Sequence, residues 1–82
     1  MGFSKITNAA NTIAKDMAST LLRNHQYSGL PIEDLIDQAC RLDQTRQYFL
    51  NHGIDLTDDS IQLQALSEFQ KALSEEIIRA EN

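Results

Sequence analysis

Apolar residues recur along most of the chain at spacings of three and four, which places their side chains on one side of an α-helix. Three segments have this pattern, at about residues 4–24, 31–52 and 58–79. Short stretches containing glycine, proline or aspartate separate them. No segment shows the two-residue alternation that is typical of a strand. The pattern therefore predicts an all-α fold of three amphipathic helices in a single domain, residues 1–82.

The middle helix has the best-marked ends. Pro31 disfavours a helical conformation at the residue before it and suits the first turn of the helix that follows. Gly53 followed by Ile54 is typical of a helix stop in which the glycine has a positive φ. Thr57 or Asp58 can then cap the third helix. Because the connection is so short, we expect the middle and third helices to form an antiparallel hairpin.

The N-terminal helix has two possible partners. It can close a three-helix bundle on the hairpin of its own chain, or it can pack on a second chain in a helix-exchanged dimer. The geometry of the turn at residues 25–31 decides between them, and the sequence leaves both open.

A charged pair interrupts the apolar side of the middle helix. Asp43 and Arg46 project from the centre of a stripe made of Ile32, Leu35, Ile36, Ala39, Leu42, Phe49 and Leu50. A desolvated ion pair costs about as much free energy as it returns, so core stability does not explain the pair. Three interpretations remain: both side chains reach solvent at the border of a narrower core, they set the register of a contact between helices or copies, or they bind a partner or ligand.

The apolar stripe of the middle helix is also wide. It covers roughly half of the helix circumference, more than the ~100° that packing against one core requires. A helix between two neighbours has this pattern, and Tyr48 and Ile78 add apolar residues to otherwise polar sides. The sequence therefore predicts self-association through the first and middle helices. The residues assigned to this partner or self-association interface are Ile13, Met17, Leu42, Asp43, Arg46 and Phe49.

Charge narrows the classes of partner. Seven lysines and arginines face twelve aspartates and glutamates, for a net charge of −5. Because phosphate neutralisation provides most non-specific nucleic-acid affinity, direct binding to DNA or RNA is disfavoured. In an antiparallel hairpin, acids of the middle helix approach acids of the third, and such a patch complements a basic partner surface. This acidic patch consists of Glu33, Asp34, Asp37, Glu75 and Glu76.

No catalytic, metal or cofactor motif is evident, and the sequence predicts neither an enzyme nor a small-molecule substrate. His52 and the aspartates around the second turn lack the alternating oxygen ligands of a calcium loop, and helix capping explains those aspartates. The one cysteine, Cys40, lies at the edge of an apolar stripe and is expected to be structural. A single thiol also fits a reducing compartment, so we expect a cytoplasmic protein, with neither signal peptide nor membrane span.

These observations favour a non-enzymatic helical protein-interaction module, an adaptor, assembly factor or regulator that forms a homodimer. An acidic inhibitor that occupies a basic, nucleic-acid-binding site on its partner is the alternative. A DNA-binding regulator is the second alternative, and it would have to present acidic residues to phosphates.

Overall fold

The computed structural model describes the backbone of residues 2–81 and the side chains of residues 5–80. Within that range all regular structure is helical, so the predicted all-α fold is confirmed. The helices are α1 (Gly2–Ser28), α2 (Ile32–Arg41), α3 (Asp43–Asn51) and α4 (Asp59–Glu81). The predicted middle helix is thus two helices, and the predicted count of three is wrong by one.

The turn after α1 is held by the side chains at its end. α1 ends at Ser28, four residues further along the chain than the sequence predicts. Gly29 then takes a φ of +72°, and its N–H donates to the His25 carbonyl at 3.1 Å. His25 Nδ1 lies 2.6 Å from the Leu30 carbonyl oxygen, and the Leu30 N–H donates to Ser28 Oγ at 3.2 Å. Pro31 follows, and α2 begins directly after it.

Leu42 separates α2 from α3 and corrects the predicted continuous helix. Its φ of −70° and ψ of 138° are extended, so the residues after it are rotated about the helix axis relative to a continuous helix. Thr45 and Phe49, four residues apart, therefore face the core, and both are fully buried. Asp43 and Arg46 instead face solvent.

The end of α3 and the start of α4 have the predicted local geometry. Gly53, at φ +79°, donates its N–H to the Leu50 carbonyl at 2.8 Å, and the Ile54 N–H donates to the Phe49 carbonyl at 2.9 Å. This pair of hydrogen bonds confirms the predicted glycine stop. Of the two candidate caps, Asp58 is the one used: its Oδ1 accepts the N–H groups of residues 60 and 61 at 2.9 and 3.2 Å.

The helices form two layers in a molecule of 37 × 23 × 18 Å. Most of the contact between helices is between α1 and α4. α2 runs antiparallel to α4, since Ile36 lies beside Ile77 and Cys40 lies beside Leu66. α1 also turns back into α2, so α1 and α4 point in the same direction. The first helix therefore packs on its own chain, as in a three-helix bundle.

Small residues fill much of the boundary between α1 and α4. The core combines them with a few large side chains, among which the rings of Phe49 and Phe69 meet edge to face, with centroids 6.1 Å apart and planes at 81°. Such a pair stabilises by about 0.5–1.5 kcal/mol beyond the area it buries. The buried alanines are Ala9, Ala10, Ala14, Ala18, Ala39, Ala65 and Ala72.

Candidate interaction surfaces

Two of the residues assigned to a partner interface lie inside the core, which corrects that prediction. Ile13 is 2% exposed and Phe49 is fully buried. In this fold neither can reach a partner, because α1 and α3 use these side chains to pack within the chain. Met17 is half-buried, and its sulfur lies 3.7 Å from the Thr45 hydroxyl. The apolar side of α1 is therefore occupied mainly by α4, and α2 and α3 pack their apolar residues within the same chain.

The other three assigned residues share the outer side of α3. Leu42 remains 44% exposed and Leu50, one turn beyond Arg46, 55%. Asp43 and Arg46 are exposed as well, and no ion pair joins them in the described part of the chain. We call these four residues the α3 patch. Three of them line a shallow cavity of about 170 Å³ against Leu56 and its neighbours in the loop before α4.

Thr45 explains why the helix breaks where it does. Among the described residues it is the one buried polar side chain. Its hydroxyl donates to the Ala39 carbonyl, in the last turn of α2, at 2.7 Å. The Leu42 N–H reaches the same carbonyl at a longer 3.4 Å. The hydroxyl thus satisfies a carbonyl that a continuous helix would have bonded to the Asp43 N–H.

A sequence signal for this break exists. Arg41 ends α2 and Asp43 begins α3, which is the arrangement of charges that helix dipoles favour. Asp43 in the apolar stripe therefore marked the start of a helix rather than one half of a buried contact. Of the three interpretations, the first is nearest to the observed position, although its physical cause is the break and not a long side chain reaching solvent.

The acidic patch is divided between α2 and the end of α4. Glu33, Asp34 and Asp37 are exposed on α2, and Glu75 is exposed on α4. Asp37 pairs with Arg41 at 3.0 Å, and Glu76, which is half-buried, pairs with Arg79 at 3.2 Å. Exposed pairs of this kind contribute little to stability, but each cation offsets one acid of the patch.

The structure adds a surface that the sequence did not predict, an open groove between α2 and α4. Its wider part has a volume of about 540 Å³, with Cys40, Leu63 and Leu66 among its lining residues. Its narrower part, about 260 Å³, includes Ile36 and Ile78. We call the two parts together the α2/α4 groove. Leu63 is 76% exposed and Ile78 60%, so apolar residues project at both ends.

The wider part of this groove lies where α2 ends at the break. α3 packs against α1 and α2 but not along the backbone of α4, which leaves the outer side of α4 uncovered beyond the end of α2. The sequence gave one signal, since Ile78 lies on a mostly polar side of its helix. Leu63 gave no such signal, because its spacing places it next to the apolar side of the helix, where a buried position is expected.

Cys40 lies half-buried in the wall of the groove. Burial raises the pKa of its thiol above the usual value, the charge of Asp37 raises it further, and Arg41 acts in the opposite direction. A raised pKa leaves less of the nucleophilic thiolate at neutral pH. The geometry thus favours a thiol that packs in the wall and reacts slowly at neutral pH.

The described residues hold no group of three or more histidine, cysteine, aspartate or glutamate side chains arranged to bind a metal ion. None of the helices between residues 2 and 81 combines the length and apolar character that crossing a bilayer demands. Comparison of the chain with protein-family models, curated proteins and solved structures finds no match. A function can therefore be proposed only from the geometry of its surfaces.

Proposed function

We propose that the protein is a non-enzymatic protein-interaction module, an adaptor, assembly factor or regulator, and that it binds a partner protein along the α2/α4 groove. The observation that carries this proposal is the exposure of Leu63 and Ile78 toward the two ends of an open groove that has both apolar and acidic lining residues. The single free cysteine favours a reducing compartment, and we propose the cytoplasm.

The exposed apolar residues of the groove contribute free energy to binding when a partner covers them. Burying a leucine or isoleucine side chain fully gives about 1.5–3 kcal/mol relative to leaving it exposed, and both Leu63 and Ile78 are mostly exposed. A specific interface of standard size buries ~800 Å² per partner. That is about one-seventh of the 5500 Å² of accessible surface, so one face of this small molecule can supply it.

Charge favours a basic partner. Glu33, Asp37 and Asp59 line the groove beside its apolar residues. A partner with a complementary positive surface would associate faster and be selected over neutral surfaces. An inhibitor that occupies a basic, nucleic-acid-binding site on its target is one form of this proposal. Direct binding of DNA has less support, because the net charge of −5 opposes it.

The proposal is tested by capture of proteins from the native host with the purified chain. The variant Leu63→Asp with Ile78→Asp places charge at both ends of the groove. Tyr27→Asp with Leu30→Asp is the matched control, since both residues are exposed and lie outside the groove and the α3 patch. We expect mass spectrometry to find proteins that the wild type and the control retain and the groove variant loses. Equal capture by all three chains, or none by the wild type, would contradict the proposal.

Self-association through the α3 patch is a second candidate. Asp43 and Arg46 have opposite charges and do not pair with each other among the described residues. Across a two-fold axis, Asp43 of one copy could face Arg46 of the other, with Leu42 and Leu50 beside them. α3 has nine residues, ~14 Å of helix, so we expect a weak dimer.

Light scattering over a range of concentrations tests this second candidate. A mass that stays at 9.3 kDa throughout would rule it out. If dimers form, Asp43→Ala and Arg46→Ala should have non-additive effects on dimer affinity, because each removes the partner of the other. Their effects on the stability of the monomer should add, because no contact joins them within one chain.

A further inference from the structure

We infer that the α2/α4 groove takes a basic amphipathic helix from a different protein. This inference rests on the proposed function and specifies the partner. It draws on the charge of the groove, on the surfaces that a second copy of the chain could offer, and on the shape and length of the groove.

The charge of the groove has one sign. Glu33 lies in its narrower part, and Asp37 and Asp59 lie in its wider part. Of the described side chains that line the two parts, none is a lysine or arginine. Arg41 is close and pairs with Asp37 at 3.0 Å, so Glu33 and Asp59 are the two groove carboxylates that no described cation pairs with. A ligand that covers the apolar residues therefore brings its edges against carboxylates, and positive edges are the complement.

A second copy of this chain does not fit the groove. A symmetric contact of groove with groove would place the carboxylates of one copy against those of the other, which costs free energy. The basic face of the chain is the outer side of α1, with Lys15 and Arg23. The exposed residues between Asn8 and Asn24 on that helix are all polar or charged, so this face has no apolar side chain to place in the groove.

The shape of the groove favours a helix over an extended peptide. An extended peptide gains affinity by pairing its backbone with the edge of a sheet, and residues 2–81 contain no strand. A helix satisfies its own backbone and presents one apolar side to a groove between two helices. The span from Leu63 to Ile78 is 78 − 63 = 15 residues of α4, or ~22 Å at 1.5 Å per residue. A helix of four turns covers it.

The probe for this inference is a synthetic helix of ~16 residues, the length that spans the groove. It has leucines at spacings of three and four and lysines on the remaining sides. Two matched peptides control for composition and for charge: one has the same residues in scrambled order, and one has glutamates in place of the lysines. Fluorescence anisotropy at ~0.15 M salt, where charges more than ~8 Å apart are screened, measures the affinity.

Three double variants locate the binding. We expect Leu63→Gln with Ile78→Gln to weaken binding of the lysine helix at least tenfold. We expect Glu33→Gln with Asp37→Asn to weaken it several-fold and to reduce its dependence on salt. Tyr27→Gln with Leu30→Gln should leave the affinity unchanged. All six residues are exposed, so circular dichroism should show the same fold for every variant.

Cys40 gives a readout that does not depend on substitution. Its thiol lies in the wall of the wider part of the groove. A bound helix should therefore slow its alkylation by iodoacetamide, and the scrambled peptide should not. Binding at any other face would leave the alkylation rate unchanged.

Several results would overturn the inference. They are equal affinity for the scrambled peptide, no affinity for the lysine helix, tighter binding of the glutamate helix, and an affinity that the Leu63 and Ile78 variants do not change. The proposed function fails by a different result, namely capture of host proteins that is insensitive to the groove. If capture depends on the groove and the lysine helix does not bind, the function stands and the basic helical partner is wrong.

Discussion

At the scale of single residues, Thr45 stabilises the break between α2 and α3. It is fully buried, and its hydroxyl donates to the Ala39 carbonyl at 2.7 Å. A buried acceptor left without its partner costs about 1–3 kcal/mol, whereas a typical hydrogen bond contributes about 1 kcal/mol. One hydroxyl thus stabilises the only non-helical residue between α2 and α3 in the described chain.

We predict that Thr45→Val lowers the free energy of unfolding by about 1–2 kcal/mol, because valine has the same shape and cannot donate to Ala39. Urea unfolding followed by circular dichroism measures the change. Thr20→Val is the matched control on an exposed side of α1, and it should stay within about 0.5 kcal/mol. Equal stabilities for both variants would show that the hydroxyl does not support the break.

At the scale of helices and turns, two glycines with positive φ set the path of the chain. Gly29 ends α1 at φ +72° and Gly53 follows α3 at φ +79°. A side chain in the left-handed region costs about 1–2 kcal/mol. The surroundings differ: a Cβ at Gly29 would meet nothing within 4 Å, while one at Gly53 would come within 2.9 Å of Lys5 Nζ. Since that nitrogen ends a flexible side chain, it can move aside.

Gly29→Ala and Gly53→Ala should therefore destabilise the protein by similar amounts, about 1–2 kcal/mol each. The same urea measurement tests this. Gly53→Asn should cost less, because asparagine tolerates the left-handed region better than alanine. A much larger loss for Gly53→Ala than for Gly29→Ala would mean that the end of Lys5 is held in place.

At the scale of the whole molecule, the parallel helices α1 and α4 form the largest contact, and α2 and α3 pack against them. Ala14 on α1 and Ala65 on α4 are both fully buried. Interiors are packed as densely as organic crystals, so such a boundary has no room for a larger side chain. The α2/α4 groove opens to solvent, and Leu63 and Ile78 are exposed in it.

Ala14→Leu should destabilise the whole domain by about 1–3 kcal/mol, because three additional carbons must displace α1 from α4. Ala80→Leu is the matched control at an exposed position near the end of α4, and it should stay within about 0.5 kcal/mol. Thermal unfolding followed by circular dichroism compares the two. An unchanged melting temperature for Ala14→Leu would mean that the two helices are not closely packed there.

The sequence by itself determined the helical class, the start of α2 at Pro31 and the stop at Gly53. These features depend on local properties: the spacing of apolar residues, the fixed φ of proline and the positive φ that glycine permits. It also indicated the apolar sides of α1 and α4, since residues such as Ile13 and Leu73 keep a constant helical spacing and are buried.

Only the tertiary structure decided the break at Leu42, and with it which surfaces are exposed. Reading a face from residue spacing assumes a constant rotation of about 100° per residue along one helix. The single extended residue Leu42 interrupts that rotation, so the faces of α2 and α3 do not line up. After the break, the Thr45 hydroxyl bonds to the Ala39 carbonyl and the ring of Phe49 packs against Phe69. Helical spacing does not predict either contact. The same break turns Asp43 outward and leaves part of α4 uncovered, so the candidate site follows from packing and not from a motif.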